Sequence, residues 1–147
     1  RNLRDPDKIS NPDEKAVAVL MNTYENTLDG AEAFYEKFKG ISMNSDETEY
    51  IKALEEFEKK FNEDKSKVES VEFTDKTKYM KYSFEDYFTR TVNDFVKESR
   101  KLLDAMNKKK LDKRGFERGY DNVITYYNNM INDYNSSIGV LNTFESY

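Results

Sequence analysis

The chain has 147 residues, a formal net charge of −5, and no histidine, cysteine or tryptophan. This length fits one domain with a core that needs neither disulfides nor metal, and the missing residue types exclude thiolate and histidine-based chemistry. Charged residues make up 36% of the chain and mean hydropathy is −0.97, values that disordered chains share. However, 11 tyrosines and 10 phenylalanines argue for a folded protein, and only five glycines and two prolines favour helices over a sheet.

The first predicted helix follows a polar leader. Residues 1–10 show no apolar period, so we predict a flexible leader there and a single helical bundle domain over residues 11–147. Asn11 is suited to cap a helix that begins at Pro12, and Gly30 predicts a kink or a close helix contact in its middle. Apolar residues of this helix alternate in steps of four and three: Val17, Met21, Tyr24, Leu28, Ala31, Tyr35 and Phe38.

An irregular stretch separates the second and third predicted helices. The second opens near Asn44 or Ser45 and carries the stripe Tyr50, Leu54, Phe57, Phe61, Val68 and Val71. Uneven spacing between residues 70 and 81 indicates a connection with at most a short helical turn. Ser83 and Asp86 then resemble a capping box. The third helix is predicted to begin there, with the stripe Phe84, Phe88, Val92, Phe95, Ser99, Leu102 and Met106.

The last third of the chain has the most regular pattern. From a start near Asp112 or Gly115, nine residues step by four and three without interruption: Phe116, Tyr120, Val123, Tyr127, Met130, Tyr134, Ser137, Leu141 and Phe144. Ser137 is the one small polar residue in this stripe. Ile124, Ile131 and Ile138 widen the stripe enough to face two neighbouring helices.

Together these segments predict an all-α protein that folds as an antiparallel four-helix bundle. Short links near Gly40 and Lys110 favour up-down-up-down order. A long three-helix bundle, in which the second and third helices fuse across residues 70–83, is the alternative. The predicted core consists of Leu20, Tyr24, Leu28, Leu54, Phe57, Phe61, Phe88, Phe95, Leu102, Tyr127, Ile131 and Leu141.

The charge distribution bears on partners and cofactors. A net charge of −5 argues against nucleic acid, because phosphate contacts need a basic surface, and the basic residues between 108 and 118 suit a helix end. The acidic segment 46–64 indicates a solvated face, since no histidine is present to complete a carboxylate metal site and no stretch has the pattern of a calcium loop. We therefore predict no nucleic-acid partner, no metal and no cofactor.

No set of residues predicts catalysis. Nothing singles out a carboxylate pair, and a serine nucleophile would lack a histidine base. We expect a non-enzymatic protein that contacts a protein partner, through Tyr126 and Asn129 of the last helix or through Glu55 and Glu58 of the acidic segment. Three other tyrosines are predicted as core residues whose hydroxyls reach water at the rim: Tyr120, Tyr127 and Tyr134.

The stretch KLDKRGFERGY at residues 110–120, followed by the tyrosine- and asparagine-bearing helix through Asn135, resembles the YiiG-like bacterial lipoproteins. The sequence NTYEN at residues 22–26 fits the same layout. This resemblance takes in parts of the first and last thirds of the chain. It implies a secreted, lipid-anchored helical protein with no assigned activity, cofactor or site residue.

Two functions fit these observations. We favour a non-catalytic binding or structural protein of the bacterial cell envelope, secreted or lipid-anchored, that acts through protein–protein contacts. The absence of cysteine, the start at Arg1 and a polar leader able to serve as a tether favour it. Membrane contact would need an upstream lipid anchor, since no stretch approaches about 20 apolar residues. The alternative is an intracellular acidic interaction module, such as an inhibitor or immunity protein, favoured by the net charge and by segment 46–64.

Overall fold

The computed structural model describes residues 4–145, of which 82% are helical, with no strand among them. Four helices account for this range: α1 (Pro12–Phe38), α2 (Glu47–Glu69), α3 (residues 78–107) and α4 (Lys113–Glu145). The third is continuous but has three parts, since a π-helical segment, Tyr87–Val92, joins the α-helical parts Lys78–Asp86 and Asn93–Asn107. The all-α fold class predicted from the apolar periods is therefore confirmed.

Side-chain caps define three of the helix starts. The Asn11 side chain accepts hydrogen bonds from the backbone amides of Asp13 and Glu14, at 2.9 and 3.1 Å, as the sequence predicts. Asp46 caps α2 by accepting from the amide of Thr48, so this helix begins slightly later than the predicted start at Asn44 or Ser45. At the start of α4, the Asp112 carboxylate accepts from the Gly115 amide at 2.7 Å.

The prediction for the start of α3 was wrong. This helix begins at Lys78, so Ser83 lies inside it and forms no capping box. The link before it is held by Thr74, whose hydroxyl donates to the Asp13 carboxylate on α1 at 2.6 Å. Because Tyr79 and Tyr82 are exposed, the first turns of α3 lack a regular apolar stripe. The three-helix alternative was also wrong, because this non-helical link separates α2 from α3.

Part of the segment predicted as a leader contacts α1. Pro6–Lys8 form a 3-10 turn, and the backbone of Arg4 makes two hydrogen bonds with the Asn22 side chain, at 3.0 and 2.7 Å. Residues 1–3 lie outside the described residues. The contacts place residues 4–10 beside the first half of α1.

The helices pack around one apolar core, in which α1 and α3 each contact both α2 and α4. Phe95 of α3 lies at the centre, because its ring contacts one aromatic ring from each other helix: Phe34, Phe57 and Tyr127. Eleven of the twelve predicted core residues are buried, and Ile131 is the exception, being half-buried against the core.

Two glycines mark close approaches between helices. A Cβ at Gly30 of α1 would lie 3.0 Å from the Phe57 ring of α2, which confirms the close helix contact predicted at this glycine. A Cβ at Gly119 of α4 would lie 2.8 Å from Cδ1 of the buried Leu102 on α3. By contrast, a Cβ at Gly139 would meet nothing within 4 Å.

We expect Gly139→Ala to raise the free energy of unfolding by about 1 kcal/mol, since alanine favours the helix over glycine. The free energy of unfolding of Gly119→Ala is expected to be lower than that of Gly139→Ala by about 1 kcal/mol or more, because Leu102 must move to admit the methyl group. Urea denaturation of the two variants checks this. Equal stabilisation would contradict the close approach of α3 and α4 at Gly119.

Candidate binding surface

The four residues predicted as partner contacts do not form one surface. Tyr126 and Asn129 lie on α4, whereas Glu55 and Glu58 lie on α2, and each of these helices packs between α1 and α3. Asn129 and Glu55 are exposed. Tyr126 is half-buried and packs against the core, contrary to its prediction as an exposed contact. Glu58 is half-buried and forms an ion pair with Arg100 of α3.

The Glu58–Arg100 pair predicts different effects for two neighbouring charge reversals. Glu58→Lys is expected to lower the free energy of unfolding by about 1 kcal/mol, because the introduced ammonium faces the Arg100 guanidinium. Glu55→Lys, on the exposed side, is expected to change stability by less than about 0.5 kcal/mol. Urea denaturation at low and high salt checks both values, and the Glu58→Lys effect should shrink with salt. Equal effects of the two variants would contradict the pairing.

The three tyrosines predicted as core residues of α4 pack as expected, but two hydroxyls bond to protein groups instead of water. The Tyr120 hydroxyl donates to the carbonyl of Lys39 at 2.7 Å, and the Tyr134 hydroxyl donates to the Glu25 carboxylate at 2.6 Å. Tyr127 is buried and stacks on Tyr35, with 3.9 Å between ring centroids. These tyrosines therefore connect α4 to α1 and to the link that follows α1.

Exposed apolar side chains cluster at one end of the molecule. Among residues 4–145, four large apolar side chains are exposed. Three of them lie where α3 begins and α4 approaches its end: Tyr79 (69% exposed), Tyr82 (56%) and Val140 (58%). The rings of Tyr79 and Tyr82 meet edge to face, with 6.2 Å between centroids. We call these three residues the tyrosine surface. The fourth exposed residue, Met43, lies in the link between α1 and α2.

Two adjoining clefts between α3 and α4 lie beside the tyrosine surface. The first, which we call the apolar cleft, has a volume of about 350 Å³ and is lined mainly by Tyr24, Tyr79, Met80, Val140 and Leu141, with one charged residue, Lys76, among its walls. The second, the polar cleft, has a volume of about 440 Å³ and is lined by Tyr82, Asp86, Tyr87 and Asp133 with three serines. The two clefts adjoin, because the same three serines line both of them: Ser83, Ser136 and Ser137.

Two buried tyrosines form the floor of these clefts, with 5.0 Å between ring centroids. Burial raises the pKa of Tyr24 to about 12; a hydrogen bond with Ser137 opposes this shift, and the nearby carboxylates of Asp133 and Asp86 add to it. Burial also raises the pKa of Tyr87, reinforced by Tyr24 and Asp133. Both phenols are therefore neutral at physiological pH and can donate or accept a hydrogen bond.

The Tyr87 hydroxyl is buried and has no hydrogen-bond partner among residues 4–145. A buried polar group left without a partner costs about 1–3 kcal/mol, so such groups are rare in folded proteins. Tyr87 also opens the π-helical segment Tyr87–Val92, and π-helical turns occur frequently at functional sites. Within this segment, the Thr91 hydroxyl donates to the Asp133 carboxylate of α4 at 2.6 Å.

Sequence patterns did not identify this surface, although two signals point to it. Ser137 is the small polar residue within the apolar stripe of α4, and its hydrogen bond to Tyr24 explains its place there. Tyr79 and Tyr82 depart from any buried stripe, which made their segment resemble a loop. A small polar residue inside an apolar stripe thus indicates the position of the clefts, and apolar residues outside any stripe indicate the exposed surface beside them.

Within the described residues, none of the helices is both long enough and apolar enough to span a membrane. Over the same range, no three acidic side chains lie together as ligands for a metal ion.

No protein-family model, curated protein or solved structure matches this chain. The resemblance of residues 110–120 to the YiiG-like lipoproteins thus stays a prediction.

Proposed function

We propose that this chain is a non-catalytic binding protein that contacts a protein partner through the tyrosine surface. The observation that carries the proposal is the joint exposure of Tyr79, Tyr82 and Val140 at one end of the molecule. Adjacent exposed apolar side chains are typical of interaction sites. Tyrosine suits such a site because it provides a large contact area at low cost in conformational entropy.

We infer that the frame behind this surface is an antiparallel four-helix bundle in up-down-up-down order. The support is the direction in which contacts advance along each helix pair. Between α1 and α4, Glu25 contacts Tyr134, whereas Phe38, later in α1, contacts Tyr120, earlier in α4. The two helices therefore run in opposite directions. The same reversal relates α2 to α3: Phe57 meets Phe95, and Phe61 meets Phe88. Such a frame holds the tyrosine surface on two adjacent helices, which limits the entropy lost on binding.

For the location, we propose the bacterial cell envelope, as the resemblance of residues 110–120 implies, with the protein secreted or lipid-anchored. The competing proposal is an intracellular acidic module that covers a basic target through the α2 face that carries Glu55, which is exposed. Fractionation of the source cells distinguishes these locations. Recovery in the cytosolic fraction alone would overturn the envelope proposal and leave the tyrosine surface to be tested separately.

Site-specific photo-crosslinking in the source cells tests the surface. A photoreactive phenylalanine analogue replaces Tyr82 in one variant, Met43 in a second and Glu55 in a third. Met43 is the matched control, because it is an exposed apolar residue (40%) in the link between α1 and α2. We expect one discrete crosslinked protein from position 82 and none from position 43.

Once that protein is identified, Tyr79→Ala and Tyr82→Ala are each expected to weaken its binding about tenfold or more, as truncation of an interface tyrosine commonly does. Met43→Ala should leave binding unchanged. Crosslinking from position 55 but not from position 82 would overturn the proposal and support the acidic module.

A further inference from the structure

The polar cleft concentrates groups that recognise a cation. Two carboxylates, Asp86 and Asp133, lie among its lining residues, and those residues include no lysine or arginine. Tyr87, which is 2% exposed, lies at the floor, and its hydroxyl has no partner within residues 4–145. A neutral phenol oxygen accepts a hydrogen bond from an ammonium group. The unused hydroxyl therefore distinguishes this cleft from an ordinary acidic stretch of surface.

The carboxylates of Asp86 and Asp133 are each held by one contact that uses only one of the two carboxylate oxygens. Asp133 accepts from the Thr91 hydroxyl through Oδ2, at 2.6 Å, which fixes the side chain and leaves Oδ1 outside this bond. Asp86 pairs with the exposed Arg90 through Oδ1, at 3.1 Å. Asp133 is thus the carboxylate on which a bound cation would depend most.

The apolar cleft supplies a hydrocarbon surface at a matching position. It adjoins the polar cleft at Ser83, Ser136 and Ser137, and its walls include Met80, Val140 and Leu141 together with the cationic Lys76. A ligand with a charged head and an aliphatic chain can therefore place both parts against suitable groups, as small-molecule sites require.

We propose that the two adjoining clefts bind an aliphatic ammonium ion: the Asp133 carboxylate pairs with the ammonium, the Tyr87 hydroxyl accepts one of its N–H groups, and the chain lies along Met80, Val140 and Leu141. This site goes beyond the contact made by the tyrosine surface. The ammonium can come from a free amine or from the lysine side chain of a protein. An anionic ligand is disfavoured by both carboxylates, and a neutral alcohol would leave Asp133 without a counter-ion.

Nuclear magnetic resonance titrations of the full chain with hexylammonium, hexanol and hexanoate at neutral pH test the proposal. Hexylammonium is expected to shift the backbone amide signals of Ser83, Ser136 and Ser137. It should bind roughly tenfold more tightly than hexanol, as one added ion pair in a partly enclosed site predicts, and hexanoate should not bind. Equal binding of hexanol and hexylammonium, or shifts confined to residues outside the clefts, would overturn the proposal.

Three variants separate recognition from folding. Asp133→Asn keeps the size of an exposed side chain and is expected to abolish the preference for hexylammonium, whereas the matched control Glu55→Gln on α2 should retain it. Tyr87→Phe should weaken hexylammonium binding several-fold while the far-UV circular dichroism spectrum stays unchanged. A preference that survives Asp133→Asn would contradict the site.

A second probe distinguishes the source of the ammonium. Nα-acetyl-lysine N-methylamide presents a lysine side chain without free termini. Binding of this probe together with hexylammonium assigns the clefts to a lysine side chain of a protein, and binding of hexylammonium alone assigns them to a free amine. Failure of both amine probes overturns the ammonium site and leaves the crosslinking result at Tyr82 unaffected.

Discussion

Replacing Phe95 with alanine is expected to lower the free energy of unfolding by about 3–5 kcal/mol, the usual cost of truncating a buried phenylalanine. Phe95 is 0% exposed, and its ring contacts Phe34 of α1, Phe57 of α2 and Tyr127 of α4. A cavity at this position removes contacts with all three other helices at once. Domains of this size are stable by about 5–15 kcal/mol, so this loss is a large fraction of the total stability.

Urea denaturation followed by circular dichroism measures the effect. Phe116→Ala is the matched control, because the same atoms are removed from a half-buried ring near the start of α4. We expect it to cost less than about 2 kcal/mol. Phe95→Leu should cost less than Phe95→Ala, since leucine refills part of the cavity. If Phe95→Ala lowers the free energy of unfolding no more than Phe116→Ala does, this result would contradict the central position of Phe95.

The helices and most of the core were predictable because their determinants are local. The alternating steps of four and three along α1 and α4 include residues that the structure buries in the core, among them Val17, Leu28 and Leu141. Asn11 and Pro12 define the start of α1 by cap chemistry that involves only adjacent residues. Patterns of this kind need no knowledge of neighbouring helices.

The start of α3 and the clefts were not predictable in this way, because they depend on tertiary contacts. The link before α3 is fastened by Thr74 to Asp13, a residue 61 positions earlier. The π-helical turn adds a residue within α3, so the apolar positions on its two sides follow different registers. The clefts combine Tyr24, Tyr87 and Asp133 from three helices, and no single segment carries that pattern.

The buried tyrosines also predict a loss of stability at alkaline pH. Tyr24 has its pKa raised to about 12 by burial, whereas an unfolded tyrosine titrates near 10. Below pH 10 the phenol is neutral in both states, so its contribution to stability is constant. As the pH rises from 10 towards 12, the unfolded state releases a proton that the folded state retains, and the folded state therefore loses relative stability. This linkage is worth about 1.4 kcal/mol at pH 11 for Tyr24. The raised pKa of Tyr87 acts in the same direction.

Tyr24→Phe isolates the contribution of Tyr24. At pH 8 the variant is expected to be less stable than the parent protein by about 1 kcal/mol, because the hydrogen bond with Ser137 is lost. At pH 11 this deficit should vanish or reverse, since phenylalanine has no proton to release in the unfolded state. Urea denaturation at both pH values measures the change. Tyr82→Phe is the control, because Tyr82 is 56% exposed and its hydroxyl meets water in both states. A deficit of Tyr24→Phe that stays the same at pH 8 and pH 11 would show that the Tyr24 hydroxyl is not buried at the floor of the clefts.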